Sequence, residues 1–251
     1  MDHGTGRILR NFFSALVAAC IAMAVQGQAS VGFRGGVNWA KVNSKEGLVG
    51  TPPTRLGPTG AVVFSIPVAK SLTLVPEIGF TQRGHSAEAL PFMFYGGQKL
   101  ALDYADLGLM VRAHVAEGPP TRPYVLAGAT VGYLVGARLF ELDPWTNNYK
   151  GTVLNPGDVH TSPWSSGHMN RWNVDLCAGL GFMFTAGRSQ VFVEGRYQYG
   201  LTNIWNNVPV ADINGSPVGV LQAYDRSISV SLGWLIPLGA GAGKGGEAPS
   251  E

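Results

Sequence analysis

The chain has 251 residues with a formal net charge of +2; 45% of its residues are hydrophobic, only 14% are charged, and 35 are glycine. So little charge is unusual for a protein bathed in water, and a near-balanced chain lacks the basic footprint of a nucleic-acid partner. Glycine at this density, aperiodic and placed inside apolar runs, excludes a helical or collagen-like protein and favours strands.

Residues 1–29 read separately from the rest. Arg7 and Arg10 precede an apolar run from about Phe12 to Val25, and Gly-Gln-Ala follows before Ser30. This is the pattern of a secretory signal peptide, with cleavage expected after Ala29. A membrane-spanning helix needs about 20 apolar residues, more than this run supplies. Val17-Ala18-Ala19-Cys20 also has the form of a lipoprotein lipobox, but the apolar run before Cys20 is short and continues past it. Without Arg7, Arg10 and Asp2 the 18 Lys and Arg fall to 16 and the 16 Asp and Glu to 15, a charge of +1. Cys177 is then the only cysteine, so neither an intrachain disulfide nor a cysteine zinc site is available, and a small buried filler is its expected role.

Eight period-two runs follow, near Val31–Ala40, Gly60–Pro67, Leu72–Gly84, Lys99–Val115, Pro123–Arg138, Trp172–Phe184, Val191–Leu201 and Ser227–Leu235. Their connections alternate in length. Val68 to Ser71, Ala116 to Thr121 and Ala186 to Ser189 are tight, whereas Lys41–Pro58, His85–Gln98, Glu141–Asn170 and Asn203–Arg226 are long. An antiparallel meander with every short turn at one end is the outer-membrane barrel pattern.

Most runs keep their polar residues in one register. The first sets Val31, Phe33, Val37 and Trp39 against Arg34 and Asn38; the third sets Leu72, Leu74, Ile78 and Phe80 against Thr73, Glu77, Thr81 and Arg83. The fourth sets Leu107, Leu109 and Val111 against Tyr104, Asp106 and Arg112, and the sixth sets Leu176, Leu180 and Phe182 against Asn173, Asp175 and Cys177. Val191, Val193, Tyr197 and Tyr199 oppose Glu194, Arg196 and Gln198, and Val230 and Leu232 oppose Ser229 and Ser231. The second and fifth runs are too apolar to assign.

A soluble lipocalin-like carrier also alternates, with its apolar face turned inward. Size favours the opposite arrangement, because an eight-stranded interior barely holds side chains and suits Gly, Ser and paired charges better than stacked aromatics. Buried charges persist only when paired. The interior network is therefore expected to join Arg34, Arg83, Arg112 and Arg196 to Glu77, Asp106, Asp175 and Glu194, four cations to four anions. Val191, Val193, Tyr197, Tyr199, Leu176, Leu180, Phe182, Val230 and Leu232 are expected to face lipid, with Trp39, Phe80, Trp172, Phe184, Tyr199 and Trp234 near the membrane interfaces. Pro76 falls within the third run, where a bulge or a locally missing hydrogen bond is expected.

The strings FRGGVNWAKV, LVPEIGFTQRG, LDYADLGLMVRAHV, RPYVLAGATVGYLVGAR, VFVEGRYQYGLTNI and SISVSLGWLI, in this order, resemble the outer-membrane β-barrel (porin family) proteins of the Bacteroidetes type, which are similar in fold to the OmpX and OmpA barrels. The resemblance spans essentially all the strands. It implies an all-β, eight-stranded, antiparallel up-and-down transmembrane β-barrel in a Gram-negative outer membrane, residues 30–238, usually without an assigned activity. Ser231 to Leu238 resembles the C-terminal signal read by the barrel-assembly machinery, although this chain has Leu238 where relatives end on an aromatic and continues into a Gly-rich tail, residues 239–251, expected in the periplasm.

Candidate chemistry is sparse. His85, His160 and His168 fall in long connections, His114 ends the fourth run, and no metal-ligand spacing appears, so no cofactor or metal is expected. His160-Thr161-Ser162 resembles the His-x-Ser pair of lipid A deacylase barrels, but lies in a polar connection instead of a strand. The expectation is a protein that is not an enzyme, with a structural or surface-interaction role. A small passive-diffusion porin is the alternative; a lipid-modifying enzyme and a soluble carrier rank below it. The expected partners are outer-membrane lipid, the assembly machinery and a surface ligand met by residues 141–170, where Trp145, Tyr149, Trp164 and His168 lie among Asn, Ser and Gly.

Overall fold

In a computed structural model of the chain the described residues are 29–44, 54–87, 98–115, 121–143, 148–154, 169–205, 209–211, 217–220 and 222–238. The leader's residues 1–28, the pair His160 and Ser162, Trp145, Trp164, His168 and the tail 239–251 lie outside them. The strands are β1 (Ser30–Ser44), β2 (Arg55–Pro67), β3 (Leu72–Ala87), β4 (Gln98–His114), β5 (Thr121–Asp143), β6 (Asn148–Leu154), β7 (Trp172–Ala186), β8 (Ser189–Gly200), β9 (Pro209–Ala211), β10 (Pro217–Val220) and β11 (Ala223–Pro237).

Eight of these close a barrel. Antiparallel neighbours run β1-β2-β3-β4-β5-β7-β8-β11, and β11 returns to β1 from Ser30 opposite Pro237 to Ser44 opposite Ala223. Closure leaves no unpaired edge among these strands, which is what lets a sheet satisfy its backbone without water. The ends of the circuit meet at the short-turn end, where the Leu238 N–H donates to the Ala29 carbonyl at 2.8 Å. There too Gly187, with φ of 64°, begins the two-residue turn between Ala186 and Ser189. A positive φ at this position matches the turn's twist to that of the strands.

Regular pairing is interrupted in the β4–β5 and β2–β3 ladders. The β4–β5 register slips between Asp103 and Tyr104, leaving Val135 as an extra residue. The bulge returns Arg138 and Phe140 to the outer face beyond it. At Pro76 the β2–β3 ladder skips Phe64 and Ser65 and resumes in unchanged register at Ile66. The expected local loss of pairing is thus met by a gap and not by a bulge, because proline has no N–H to give β2.

The strands overrun the alternating runs, mostly at the long-connection end. β2 begins at Arg55, and β5 continues to Asp143 with β6 folded back on it, so residues 141–143 and 148–154 pair as an arm instead of the expected loop. Hydrogen bonds to β5 and a Lys150–Asp143 ion pair at 2.7 Å hold β6, whose described side chains are exposed; without a buried face it has no period-two signal. β9 and β10 form a separate ribbon within 203–226.

Candidate functional site

The pleat sends alternate residues inward, and each barrel strand except β2 and β5 delivers at least one ion to the interior. Near the short-turn end, Arg196 Nε donates to Glu194 Oε1 at 2.6 Å, and its two terminal nitrogens donate to the two oxygens of Glu77. Arg34 adds Nε and Nη2 to Glu77 Oε2 at 3.2 and 3.1 Å and gives Nη1 to Ser231 at 3.3 Å. Arg112 sits 3.9 Å from Glu194 Oε2, between the rings of Tyr124 and Phe192 at 4.5 and 5.3 Å. Among the described residues its guanidinium nitrogens have no hydrogen-bond partner. Its charge is met by ring faces and by one long ion pair.

Closer to the long-connection end, Arg83 is the hub. It reaches Asp175 at 2.7 Å, Asp225 at 3.2 Å and Asp106 at 3.5 Å and lies over the Tyr104 ring. Thr130 and Asn173 also donate to Asp175, at 3.1 and 2.8 Å. All eight ions named from the sequence are buried here. Asp225 is a ninth, so the interior holds five acids and four arginines instead of four and four. It lay in the stretch read as a connection, although Asp225, Ser227, Ser229 and Ser231 share one inward register that β11 simply extends.

Apolar side chains cap this polar layer at both ends, where an interior of Gly, Ser and charge was expected. Val63, Val75, Met110, Tyr124, Phe192 and Leu235 pack at the short-turn end with Cys177 and Met183, and Leu100, Leu102, Tyr104, Leu134, Ile204 and Trp205 pack at the other. Sequence periodicity sets Tyr104 and Cys177 on the inward face but leaves Val63, Tyr124 and Leu134 unassigned, because β2 and β5 are apolar on both faces; Val75, Met110, Phe192 and Leu235 are apolar residues on the inward register of strands whose middles are polar. A cavity beside Arg34, Glu77, Asp106 and Gln198 measures about 10 Å³, about the space of one water.

Outside, Val193, Tyr197, Tyr199, Leu176, Leu180, Phe182, Val230 and Leu232 are all exposed, Leu180 to 61%. Val191 shares their face but is half-buried, paired with Phe184 on one side and Trp234 on the other. Phe33 meets Trp234 edge-on at 6.1 Å near the short turns, and Tyr133 meets Trp172 at 4.9 Å near the other end. A continuous apolar exterior around a polar middle is the reverse of a soluble carrier. Among the described residues no group of three or more His, Cys, Asp and Glu is placed to hold a metal ion.

Closed antiparallel strands, an apolar exterior and a charged interior define an integral outer-membrane β-barrel. The chain belongs to the family described as outer membrane protein beta-barrel domain, whose model matches residues 23–206. Solved structures similar to it include Ail, the attachment invasion locus protein of Yersinia pestis, at 10% identity and a TM-score of 0.39, covering 83% of this chain and 99% of that one. Neisserial surface protein A is similar at 13% identity and a TM-score of 0.40, covering 83% and 98%. The outer membrane protease OmpT of Escherichia coli is similar at 9% identity and 0.34, covering 84% and 94%. No curated protein matches the chain.

Proposed function

We propose that this barrel is a plugged, non-conducting and non-catalytic outer-membrane protein with a structural or surface-interaction role. The observation that carries the reading is the filled interior: among the described residues, a layer of five buried acids and four buried arginines lies between two apolar caps. A passive pore needs a continuous water path, and opening one here means moving Tyr124, Phe192 and Arg112 at one end and Tyr104, Leu134 and Trp205 at the other. In the same reading the leader is removed after Ala29, residues 30–238 form the barrel, its C-terminal strand engages the assembly machinery, and the tail 239–251 lies in the periplasm. The long connections then face the cell exterior, where residues 141–170 offer a surface to a ligand.

The test is single-channel recording of the purified protein in planar bilayers. A silent membrane, with insertion verified by heat-modifiable gel mobility, is the expected result. Stable open steps at low voltage overturn the plug.

A further inference from the structure

On the outer wall of the barrel, just beyond the apolar exterior, a groove of about 510 Å³ opens between Arg55, Leu56, Ser86, Lys99, Phe140 and Tyr149. It exists because of the bulge at Val135: Phe140 lands on the outer face directly across the ladder from Lys99, and β6 brings Tyr149 beside them. The volume is that of an ordinary small-molecule site. Its chemistry is two-sided. Phe140 and Tyr149 supply flat apolar surface, with Arg55 at 5.8 Å from the first ring and Lys99 at 3.8 Å from the second.

The charges around it do not balance. Arg138 is held by Asp103 at 2.9 Å, and Asp103 also accepts from Gln82 at 2.7 Å, so that acid is already engaged. The Arg55 side chain has one hydrogen bond, from Nη2 to Gln82 at 3.3 Å; its buried Nε has no partner among the described residues. The Lys99 ammonium lies over the ring of Tyr149. Among the described residues neither Arg55 nor Lys99 has a carboxylate within ion-pair distance, so the groove presents two cations beside two rings.

We propose that this groove binds the phosphorylated sugar headgroup of a glycolipid in the outer leaflet. Three features select that partner. The groove lies on the lipid side of the wall and not in the barrel mouth, and it sits at the level where the apolar exterior gives way to Gln82, Asp103 and Arg138. Phosphate answers the guanidinium and the ammonium, and the rings, with the Ser86 and Thr54 hydroxyls beside them, answer a sugar. The proposal rests on the membrane-barrel reading above.

The experiment uses the full barrel refolded in detergent, with native mass spectrometry against bisphosphorylated lipid A and against the same lipid stripped of phosphate. Wild-type protein is expected to retain the phosphorylated lipid, and R55Q/K99Q to bind it about tenfold more weakly or less, having lost two charge-assisted contacts. K70Q, at the short-turn end, is expected to match wild type. Equal retention by R55Q/K99Q, equal binding of the dephosphorylated lipid, or full displacement by an equal concentration of inorganic phosphate each overturns the assignment. Heat-modifiable mobility of each protein in the same samples shows separately whether the barrel itself forms, so failure of the fold is not mistaken for failure of the groove.

Discussion

The two ion clusters inside the barrel differ in a way neither their strands nor their residue types announce. The one nearer the short turns joins three arginines to two glutamates, an excess of one positive charge; the other joins a single arginine to three aspartates, an excess of two negative charges. In the first, each acid has several donors, since Glu77 takes both Arg34 and Arg196 and Glu194 takes Arg196 and Tyr124. In the second, all three acids lean on Arg83. The arginine-rich cluster is redundant and the aspartate-rich cluster has a single point of failure. Each is out of balance alone, and the interior comes within one charge of neutrality only when both are taken together.

Replacing Arg83 with Met is therefore the severest test of that contrast. It leaves three buried carboxylates without a cation, and removing one partner of a buried network costs about 3–5 kcal/mol. Urea unfolding of the vesicle-refolded barrel, followed by tryptophan fluorescence, is expected to show that loss or a chain that does not refold at all. Arg196→Met removes as many hydrogen bonds as Arg83→Met, three in each case, but leaves Arg34 on Glu77 and Tyr124 and Arg112 at Glu194, so about 2–3 kcal/mol is expected. If Arg196→Met proves the costlier substitution, redundancy does not govern this interior.

A steric test reaches the same layer from below. Phe192 is fully buried against Gly233, where an added Cβ would stand 2.1 Å from the ring's Cζ. Gly233→Ala should displace the ring that flanks Arg112 and cost about 1–3 kcal/mol by overpacking. Phe192→Leu in the same chain should restore much of it. An absence of rescue places the strain in the backbone and not in the ring.

Much of this was legible in the sequence for a plain reason: eight of the nine buried ions lie in alternating runs whose inward face carries the polar residues, and Asp225 alone falls outside them. The period of two carries both strand and facing. What stayed hidden lies where that period fails. Tyr124 and Leu126 were invisible because β5 is apolar on both sides. The outward turn of Phe140 depends on one bulged residue, which shifts the register of everything after it by one. The β5–β6 arm is held by backbone ladders without a buried face, and alternation does not record that kind of stability. The groove of Arg55, Lys99, Phe140 and Tyr149 is a product of those last two features, which is why no motif foretold it.

Asp225 offers the smallest and most discriminating change. Of the three aspartates around Arg83 it is the least supported: Oδ2 accepts from Arg83 at 3.2 Å, while buried Oδ1 has no partner among the described residues. Asp175, by contrast, accepts from Arg83, Thr130 and Asn173. In a cluster already two charges too negative, Asp225→Asn removes one of the excess charges, keeps the shape, and leaves Arg83 with two carboxylates. Its stability is expected within about 1 kcal/mol of wild type, because desolvation saved offsets attraction lost. Asp175→Asn, measured in the same urea series, should cost more, since two of its three donors are neutral groups that gain nothing from relief of charge. Equal and large losses for both would mean that Arg83 needs all three anions, and that the imbalance between the two clusters is itself stabilising.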